Sequence, residues 1–419
     1  MEYPRLRPLE TFPVEHEGKQ MLGLRDPDGY LEGPLLMPMD IVSVLQLLDG
    51  TNSLRDIQAA VMQQHGQRLD TEQLEGFVKE LDQALVLDSD HFRAEVAEQH
   101  AAFQRLTVRP AALAGRSYPE EPEELTHLLS EYFTAPGGPG TLPAEDGQPD
   151  GRLAAIIAPH IDYARGGPCY AYAYKALKES CRASCFVILG TCHRPMSHPF
   201  VLTRKAFQTP FGVVPTDGAF IDSLQARVDG DLFADEFAHR SEHTIELQVA
   251  FLQHVMAGSQ PFRIVPVLVG SFHGAVATGT SPMALEPIGQ FIEALRETLD
   301  EQPGSVCLVG SADLAHVGPQ FGDPAPLGQS DWDRVRRDDL ALMDHAVAVD
   351  AEGLFQEVTA QGDRNRICGF PPIYTLLAAL EDGMEGGLLN YGQWPSPHGT
   401  VTYASLAYRK PDAAGQSSP

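Results

Sequence analysis

The sequence predicts an α/β protein in which a central, largely parallel or mixed sheet is flanked by helices, with a small α+β domain of winged-helix type at the N-terminus. From Leu153 onward, short apolar runs rich in β-branched residues alternate with longer helical segments, a pattern typical of a sheet covered on both faces. The first hundred residues differ, because strands come first and short helices follow. A chain of 419 residues with 43% hydrophobic content is long enough for about two or three domains.

The N-terminal segment begins with a predicted β-hairpin, since Asp26–Gly29 has strong turn chemistry and separates two apolar runs. Helices follow, and Ser53 with Asp56 and Asp70 with Gln73 are suited to cap the second and third of them. A short apolar run then predicts a wing strand. The three helices and this strand are expected at residues 40–48, 53–64, 71–84 and 85–87.

The strings LRDPDG and LLDGTNSLRDI resemble the PqqD-like family of peptide-binding chaperone domains over about residues 22–92. The resemblance implies that this domain binds a peptide. A DNA-binding helix-turn-helix is the competing interpretation, but residues 1–100 carry 8 Lys and Arg against 19 Asp and Glu, a net charge of 8 − 19 = −11. Binding to phosphates needs basic residues on the contacting face, so DNA binding is disfavoured. A purely structural appendage stays open, because a fold alone does not establish a function.

The predicted organisation follows from these patterns and from composition. A winged-helix domain is expected over residues 1–100, a linker over 101–107 and the large domain over 108–411. Within the large domain, residues 135–151 are rich in Pro and Gly and predict an exposed loop. Residues 412–419 predict a disordered tail.

Charge excludes several classes of partner. The formal net charge of −27, from 30 Lys and Arg against 57 Asp and Glu, repels phosphate backbones and anionic lipid headgroups. The first twenty residues lack the basic and apolar regions of a signal peptide, and no apolar window reaches the length that spans a bilayer. The sequence therefore predicts a cytoplasmic protein without a nucleic-acid or membrane partner.

The six cysteines are too sparse for a disulfide scaffold, and a cytoplasm keeps thiols reduced. Any important cysteine is then a metal ligand or a reactive thiol. Cys181 and Cys185 have i,i+4 helical spacing but no second pair to complete a metal site, so ordinary packing is expected for them.

Polar side chains follow four apolar strands of the predicted sheet. His160 follows IIAP, His193 follows VILGTC, and Asp313 and His316 follow VCLVGSA, while His273 comes after VPVLVGSF. In open α/β sheets, ligands bind outside the carboxyl ends of the strands, so these residues should converge. A single histidine after a strand is usually an ordinary loop residue, but several at one sheet edge favour a transition-metal site.

Cys368 is a further candidate because it comes before a Gly and a Pro pair that turn the chain into a helix. A cysteine near a helix N-terminus has a lowered pKa and readily supplies a thiolate. A buried, inert thiol is the open alternative.

Eight strings in the large domain together resemble the Memo family, in the form found in bacterial AmmeMemoRadiSam systems: RPAALAGRSYP, IIAPHIDYARGGPCYAYAYKAL, ILGTCH, SEHTIELQVAFLQ, IVPVLVGS, SADLAHVG, ICGFPPIYTLL and LNYG. The match covers nearly all of 108–409 in the right order. The resemblance implies a fold similar to the class III extradiol dioxygenases, whose non-haem iron is held by two histidines and a glutamate. In the Memo pattern a cysteine replaces the glutamate, which implies metal ligation by His160, His193 and Cys368.

The same resemblance assigns further roles. His316 matches the position of the dioxygenase general base, and Asp313 is expected to set its orientation. His243 and Glu246 are three apart on a helix and share a face, so they are expected to orient the ligands. An ordinary amphipathic helix with exposed charges explains that pair equally well.

Three positions depart from the commonest family strings. Ile161 and Asp162 stand where Ala-Gly is usual, and Arg194 stands where a second histidine often follows the one matching His193. These departures are expected to change pocket polarity and substrate choice more than ligation.

The first functional hypothesis is a metal-dependent, extradiol dioxygenase-like oxidoreductase that acts on a peptide or small molecule. Iron(II) is favoured, and copper or zinc is possible, because the preferences of these ions overlap. The resemblance implies a radical-SAM protein and an AMMECR-type protein as partners. The alternative is a non-catalytic metal-carrying or peptide-binding scaffold, and a zinc hydrolase ranks third because such sites typically use histidine and carboxylate ligands.

Overall fold

A computed structural model describes residues 1–411 except 32, 67, 145–148, 260 and 303–304, and of residue 65 only the backbone. The chain forms two compact units, Met1–Leu106 and the part from Thr107 onward. The division lies at the end of a helix that contains most of the predicted linker. The predicted tail at 412–419, and part of the predicted loop at 135–151, are outside the described residues.

The N-terminal unit is a three-stranded antiparallel sheet followed by helices. The sheet order is β1-β2-β3, and β2 and β3 flank the predicted Asp26–Gly29 turn. The elements are β1 (Glu10–His16), β2 (Lys19–Arg25), β3 (Leu35–Pro38), a 3-10 turn (Met39–Ile41), α1 (Val42–Leu45), α2 (Leu54–His65), α3 (Thr71–Gln83) and α4 (Asp90–Arg105).

Local signals explain where these helices begin. Ser53 and Asp56 form a reciprocal capping box at the start of α2, and Asp70 caps α3 by accepting a hydrogen bond from the Glu72 amide. The predicted wing strand is reduced to one isolated bridge between Leu6 and Leu87. β1, which the sequence analysis did not single out, forms an edge of the sheet instead.

The second unit contains the predicted large α/β domain. Its strands are β4 (Val108–Arg109), β5 (Leu153–Ala158), β6 (Cys185–Thr191), β7 (Phe200–Leu202), β8 (Ala206–Thr209), β9 (Gly212–Val214), β10 (Arg263–Val269), β11 (Val306–Ser311), β12 (Asp313–Val317), β13 (Glu385–Trp394) and β14 (Thr400–Arg409). Its α-helices are α5 (Pro122–Thr134), α6 (Tyr163–Ser180), α7 (Gly218–Gln225), α8 (His243–Met256), α9 (His273–Thr278), α10 (Glu286–Asp300), α11 (Gln329–Val347), α12 (Ala351–Ala360) and α13 (Phe370–Ala379).

Eight of these strands form one mixed sheet, which confirms the predicted fold class. The order β12-β14-β5-β11-β6-β10-β7 has a parallel centre, β5-β11-β6-β10, and β13 pairs with β14. One face packs against α5, α6 and α8, and the other packs against α7, α10, α12 and α13. The parallel strands are apolar throughout because both faces are buried. Their carboxyl ends therefore meet at one sheet edge, which positions the candidate site.

The described helices give no sign of membrane insertion. None of them combines the length and the apolar character that crossing a bilayer requires.

Candidate metal centre

His160 lies two residues beyond β5 and is held by the neighbouring strand. Its Nδ1 is 3.1 Å from the carbonyl oxygen of Ser311 at the end of β11, and its amide donates to Asp313 Oδ1 at 2.9 Å. The Nδ1 proton is therefore directed to Ser311, which leaves Nε2 available as a ligand. The side chain is buried.

His193 lies two residues beyond β6 and is braced by a carboxylate. Its Nδ1 is 3.2 Å from Glu242 Oε1, and its amide donates to Glu242 Oε2 at 2.9 Å. A carboxylate on Nδ1 fixes the tautomer and ring orientation of a metal-binding histidine and raises its basicity. His193 is thus prepared to ligate through Nε2.

His243 is the first residue of α8 and shares the same carboxylate. Glu242 caps this helix by accepting from the His243 amide at 2.8 Å, and its Oε1 is 2.9 Å from His243 Nδ1. The rings of His193 and His243 stack with their centroids 4.9 Å apart. A glycine brings α8 to β6, since a Cβ at Gly190 would be 2.6 Å from Thr244 Oγ1.

The three imidazoles form a group that could hold a metal ion. A ligand atom of each lies within 4.8 Å of the others. Imidazole nitrogen suits zinc, iron and copper. His160 is buried, His193 and His243 are partly exposed, and a carboxylate lies behind the last two, which is the composition of an accessible transition-metal site. The residues present therefore fit the expected ion, although they do not identify it.

Cys368 joins this cluster from a loop before α13. Its Sγ is 3.2 Å from His160 Nε2 and also hydrogen-bonds with His193. The loop approaches closely because residue 369 is glycine. A Cβ there would lie 2.2 Å from the Asp313 carbonyl oxygen, and the Gly369 amide donates to that oxygen at 3.0 Å. The structure thus brings together all three predicted ligands and adds His243.

Burial and mutual contacts set the protonation of the cluster. Burial and the neighbouring imidazoles hold the pKa of His160 well below its usual value. Burial alone would lower the pKa of His193, but hydrogen bonds with Cys368 and Glu242 raise it well above its usual value. Burial raises the pKa of the Cys368 thiol, an effect that His193 opposes. Because ligands must be deprotonated, metal binding would release protons from this cluster.

Asp313 and His316 border the cluster in ways that differ from the prediction. Asp313 contacts His160, with Oδ2 3.7 Å from His160 Nε2, and burial raises its pKa to about 6. His316 is oriented by the Leu314 carbonyl oxygen, 3.1 Å from its Nδ1, rather than by Asp313. Burial lowers the pKa of His316 to about 4, so this imidazole is neutral at neutral pH.

Glu246 is directed away from the histidines. Its carboxylate pairs with Arg109 in a fully buried contact and accepts from the amides of Ala112 and Leu113 and from Tyr118. Glu242 therefore occupies the orienting position where the sequence analysis expected His243 and Glu246. The missed signal is positional, because Glu242 is an acid at a helix N-cap beside a candidate ligand.

Arg109 is a second residue that sequence reasoning missed. It is fully buried and donates to three carbonyl oxygens, that of His239 from Nε at 2.6 Å, that of Glu242 from Nη2 at 2.9 Å and that of Pro110 from Nη1 at 3.1 Å. Arg109 thus holds the segment that carries the bracing carboxylate. The string RPAALAGRSYP supports the family resemblance but does not indicate a role for its arginine.

A cavity of about 280 Å³ opens beside His193 and Cys368. Its walls include Phe272 and Ile367, and the polar residues that line it, besides Thr191 and His193, are Ser271, His273, Asp363 and Arg366. As far as the described residues show, neither His316 nor Asp313 lines it. Its size suits a small organic molecule or a single side chain.

The three departures from the family strings lie beside the cluster. Ile161 packs with Cys169 and Tyr403, and Asp162 caps α6 by accepting from the Arg165 amide at 3.1 Å. Arg194 donates to Ser241 Oγ at 2.5 Å. Their predicted effect on substrate choice stays a prediction.

Glu242→Gln is expected to weaken metal binding about 10- to 100-fold, the usual cost of losing a group that orients a metal-bound histidine. Glutamine retains the size of the side chain but removes the charge that supports both His193 and His243. Competition with a chelator measures the change. Glu236→Gln, on the nearby 3-10 turn, is the matched control and should bind metal like the wild type. Equal affinities for Glu242→Gln and the control would contradict the bracing role.

Comparison with known proteins agrees with the sequence resemblance. A family model described as Memo-like protein matches residues 109–408. A MEMO1 family protein from Aquifex aeolicus is 26% identical over 411 residues, which cover 96% of this chain and 99% of that protein. Another from Methanopyrus kandleri is 31% identical over 309 residues, covering 72% of this chain and 99% of that protein. One from Thermus thermophilus is 29% identical over 331 residues, which cover 79% of this chain and 90% of that protein. The chain therefore belongs to the Memo family.

Proposed function

We propose that this protein is a metal-dependent oxidoreductase that binds one transition-metal ion, with iron(II) favoured, at His160, His193 and Cys368. The observation that carries the proposal is the convergence of these side chains beside an accessible cavity. A bound redox-active ion would supply electron transfer and a positive charge for an oxygen-bearing substrate. The thiolate ligand changes charge donation to the metal, so ring cleavage is not implied.

The chain's own residues would position the substrate. Phe272 and Ile367 offer an apolar wall, while His273, Asp363 and Arg366 offer polar groups in the cavity. The volume of about 280 Å³ favours a small molecule or one peptide side chain over a folded partner.

His316 is the proposed proton carrier. Its Nδ1 is 3.1 Å from the Leu314 carbonyl oxygen, the Arg366 backbone supplies a second hydrogen bond, and its lowered pKa keeps the ring neutral and able to accept a proton. Its charge would affect both His160 and His193, so it lies within electrostatic range of the cluster.

We expect iron-loaded protein to consume oxygen with a suitable reductant or substrate, and His316→Ala to retain its metal while losing that activity. A general base acts on the substrate and does not hold the ion. Oxygen uptake and metal content are measured on the same samples. His273→Ala is the matched variant, because His273 lines the cavity whereas His316 does not.

Four results would change the assignment. Loss of metal in His316→Ala would make His316 a ligand, and loss of activity only in His273→Ala would transfer the proton role to His273. Full metal occupancy with no oxygen uptake under any condition would favour the metal-carrying scaffold. Native zinc with hydrolytic activity would favour the hydrolase.

The scaffold alternative is favoured by one observation, the separate N-terminal unit. Its sheet has two edges, and β1 carries Glu10, Glu15 and Pro13, features that discourage strand addition. β3 has no charged residue and its one proline, Pro38, is its last residue, so β3 is the better edge for an extended peptide. We propose that this PqqD-like unit presents a peptide and engages a radical-SAM protein, with an AMMECR-type protein in the same system.

Deletion of residues 1–106 is expected to leave metal content unchanged, since every proposed ligand lies in the second unit. The same deletion should weaken association with the radical-SAM partner by more than the few-fold effect of lost surface charge. Pull-down of that partner with full-length and truncated protein, with metal analysis of both, checks the prediction. Equal association of the two forms would favour the structural-appendage interpretation.

A further inference from the structure

Two thiols meet near the amino ends of the parallel strands, at the end of the sheet opposite the metal cluster. Cys181 ends α6, and Cys307 is the second residue of β11. The connection from α6 to β6 is held against the start of β11, because the Ser184 and Cys185 amides both donate to the Ser305 carbonyl oxygen at 3.1 Å. Both thiols belong to the core on the α6 and α8 face of the sheet.

The two thiols are in hydrogen-bonding contact, and the Cys307 Sγ also lies 3.6 Å from the Leu308 carbonyl oxygen, to which it can donate. The two thiols are not equivalent. Cys181 is 8% exposed and its Sγ also accepts from the Ala183 amide at 3.4 Å, whereas Cys307 is fully buried. The hydrogen bond from Cys307 lowers the pKa of Cys181, while the same contact and burial raise the pKa of Cys307 well above its usual value. The pair therefore has one thiol suited to react first and a second placed to follow.

Cys185 does not complete this pair. It begins β6 and packs in the core on the opposite face of the sheet. The i,i+4 spacing of Cys181 and Cys185 is therefore not helical, because α6 ends before Cys181 and a strand begins at Cys185. This correction separates Cys185 from Cys181 and makes Cys185 a matched control.

We propose that Cys181 and Cys307 are a redox modification site that forms a reversible intramolecular disulfide when the protein meets a peroxide. This site is separate from the metal cluster and does not depend on the proposed oxidoreductase activity. The six cysteines all lie in the described residues, and each is a free thiol. The structure therefore corresponds to the reduced form of the protein.

The chemistry balances in two steps. The Cys181 thiolate attacks one peroxide oxygen and the O–O bond breaks. Cys181 becomes a sulfenic acid, and the other peroxide oxygen is protonated and leaves as water. The Cys307 sulfur then attacks the sulfenic sulfur, an S–S bond forms, and a second water leaves. Two thiols lose two electrons and two protons, and the peroxide gains them. The extended backbone at Cys181 is outside the helix, so the sulfurs can approach without bending α6.

The test uses the full-length protein, which is treated with hydrogen peroxide, then unfolded in denaturant while iodoacetamide blocks the remaining thiols, and digested without reductant. Mass spectrometry should find a linked pair of peptides containing Cys181 and Cys307, about 2 Da below their sum because two hydrogens are lost, and a reductant should remove it. Cys185→Ser should give the same link. Cys307→Ser should instead leave Cys181 as a sulfenic acid or a more oxidised form.

Two outcomes would overturn the proposal. One is that iodoacetamide labels both thiols to the same extent in the peroxide-treated protein as in the untreated protein. The other is a disulfide link that joins Cys181 to Cys185. Since peptide mapping reports each cysteine separately, oxidation at Cys368 would not be mistaken for this site. If Cys307→Ser folds poorly, Cys307→Ala and the peptide map of the wild type still decide the assignment.

Discussion

The protein is expected to carry about one transition-metal ion per chain when it is purified without oxygen. Alanine at His160, His193 or Cys368 should remove most of this metal, because a tridentate site no longer encloses the ion when any ligand is removed. His160 and His193 are common to every ligand set that the geometry allows. Their alanine variants should therefore lose metal first and most completely.

The third ligand is identified by comparing Cys368→Ala with His243→Ala. Cys368 contacts His160 Nε2, whereas His243 lies in the imidazole group and shares Glu242 with His193. With Cys368 as the third ligand, Cys368→Ala should lose most of the metal and His243→Ala should lose less. The opposite order would make the site a three-histidine centre.

Metal is measured by elemental analysis after anaerobic purification. His254→Ala is the control, because His254 lies at the other end of α8, where its Nε2 is 3.4 Å from Ser130 Oγ. It should keep the wild-type content. Full occupancy in all of the His160, His193 and Cys368 variants would show that the metal is held elsewhere.

The sequence predicted the sheet and the residues at its edge for one physical reason. Strands buried on both faces must be apolar, so their ends are visible where polar residues such as His160 and His193 follow. Their convergence is then a consequence of parallel topology. Cys368 needed the family resemblance, because its place beside His160 depends on a glycine that allows a loop to approach the start of β12.

The missed residues depend on tertiary contacts that no periodic pattern encodes. Glu242 braces two histidines only because α8 starts against the end of β6. His316 is oriented by the Leu314 carbonyl oxygen and not by Asp313, and a register shift separates the two residues in the pairing of β12 with β14. The sequence does not indicate such a register shift.

Arg109 is where removal of a single side chain should cost the most folding stability. Arg109 and Glu246 are both completely buried, and breaking a buried ion pair typically costs about 3–5 kcal/mol, because the remaining charge has no partner. Arg109→Met retains much of the apolar stem and volume, so the lost charge and hydrogen bonds dominate. The free energy of unfolding in urea should fall by that amount.

Fluorescence is a suitable measurement, since both tryptophans, Trp332 and Trp394, lie in the second unit and report on it alone. Arg109→Lys keeps the positive charge near Glu246 but lacks the planar group that reaches the His239 and Glu242 carbonyl oxygens together. It should therefore lose less stability than Arg109→Met.

Metal affinity separates a positioning role for Arg109 from simple packing. If Arg109 holds the segment that carries Glu242, Arg109→Lys should bind metal more weakly while remaining folded at the assay temperature. Glu242→Gln should then add little further loss in the Arg109→Lys background, because the two changes act through the same histidine support. Fully additive losses would mean that Arg109 stabilises the fold without positioning the carboxylate.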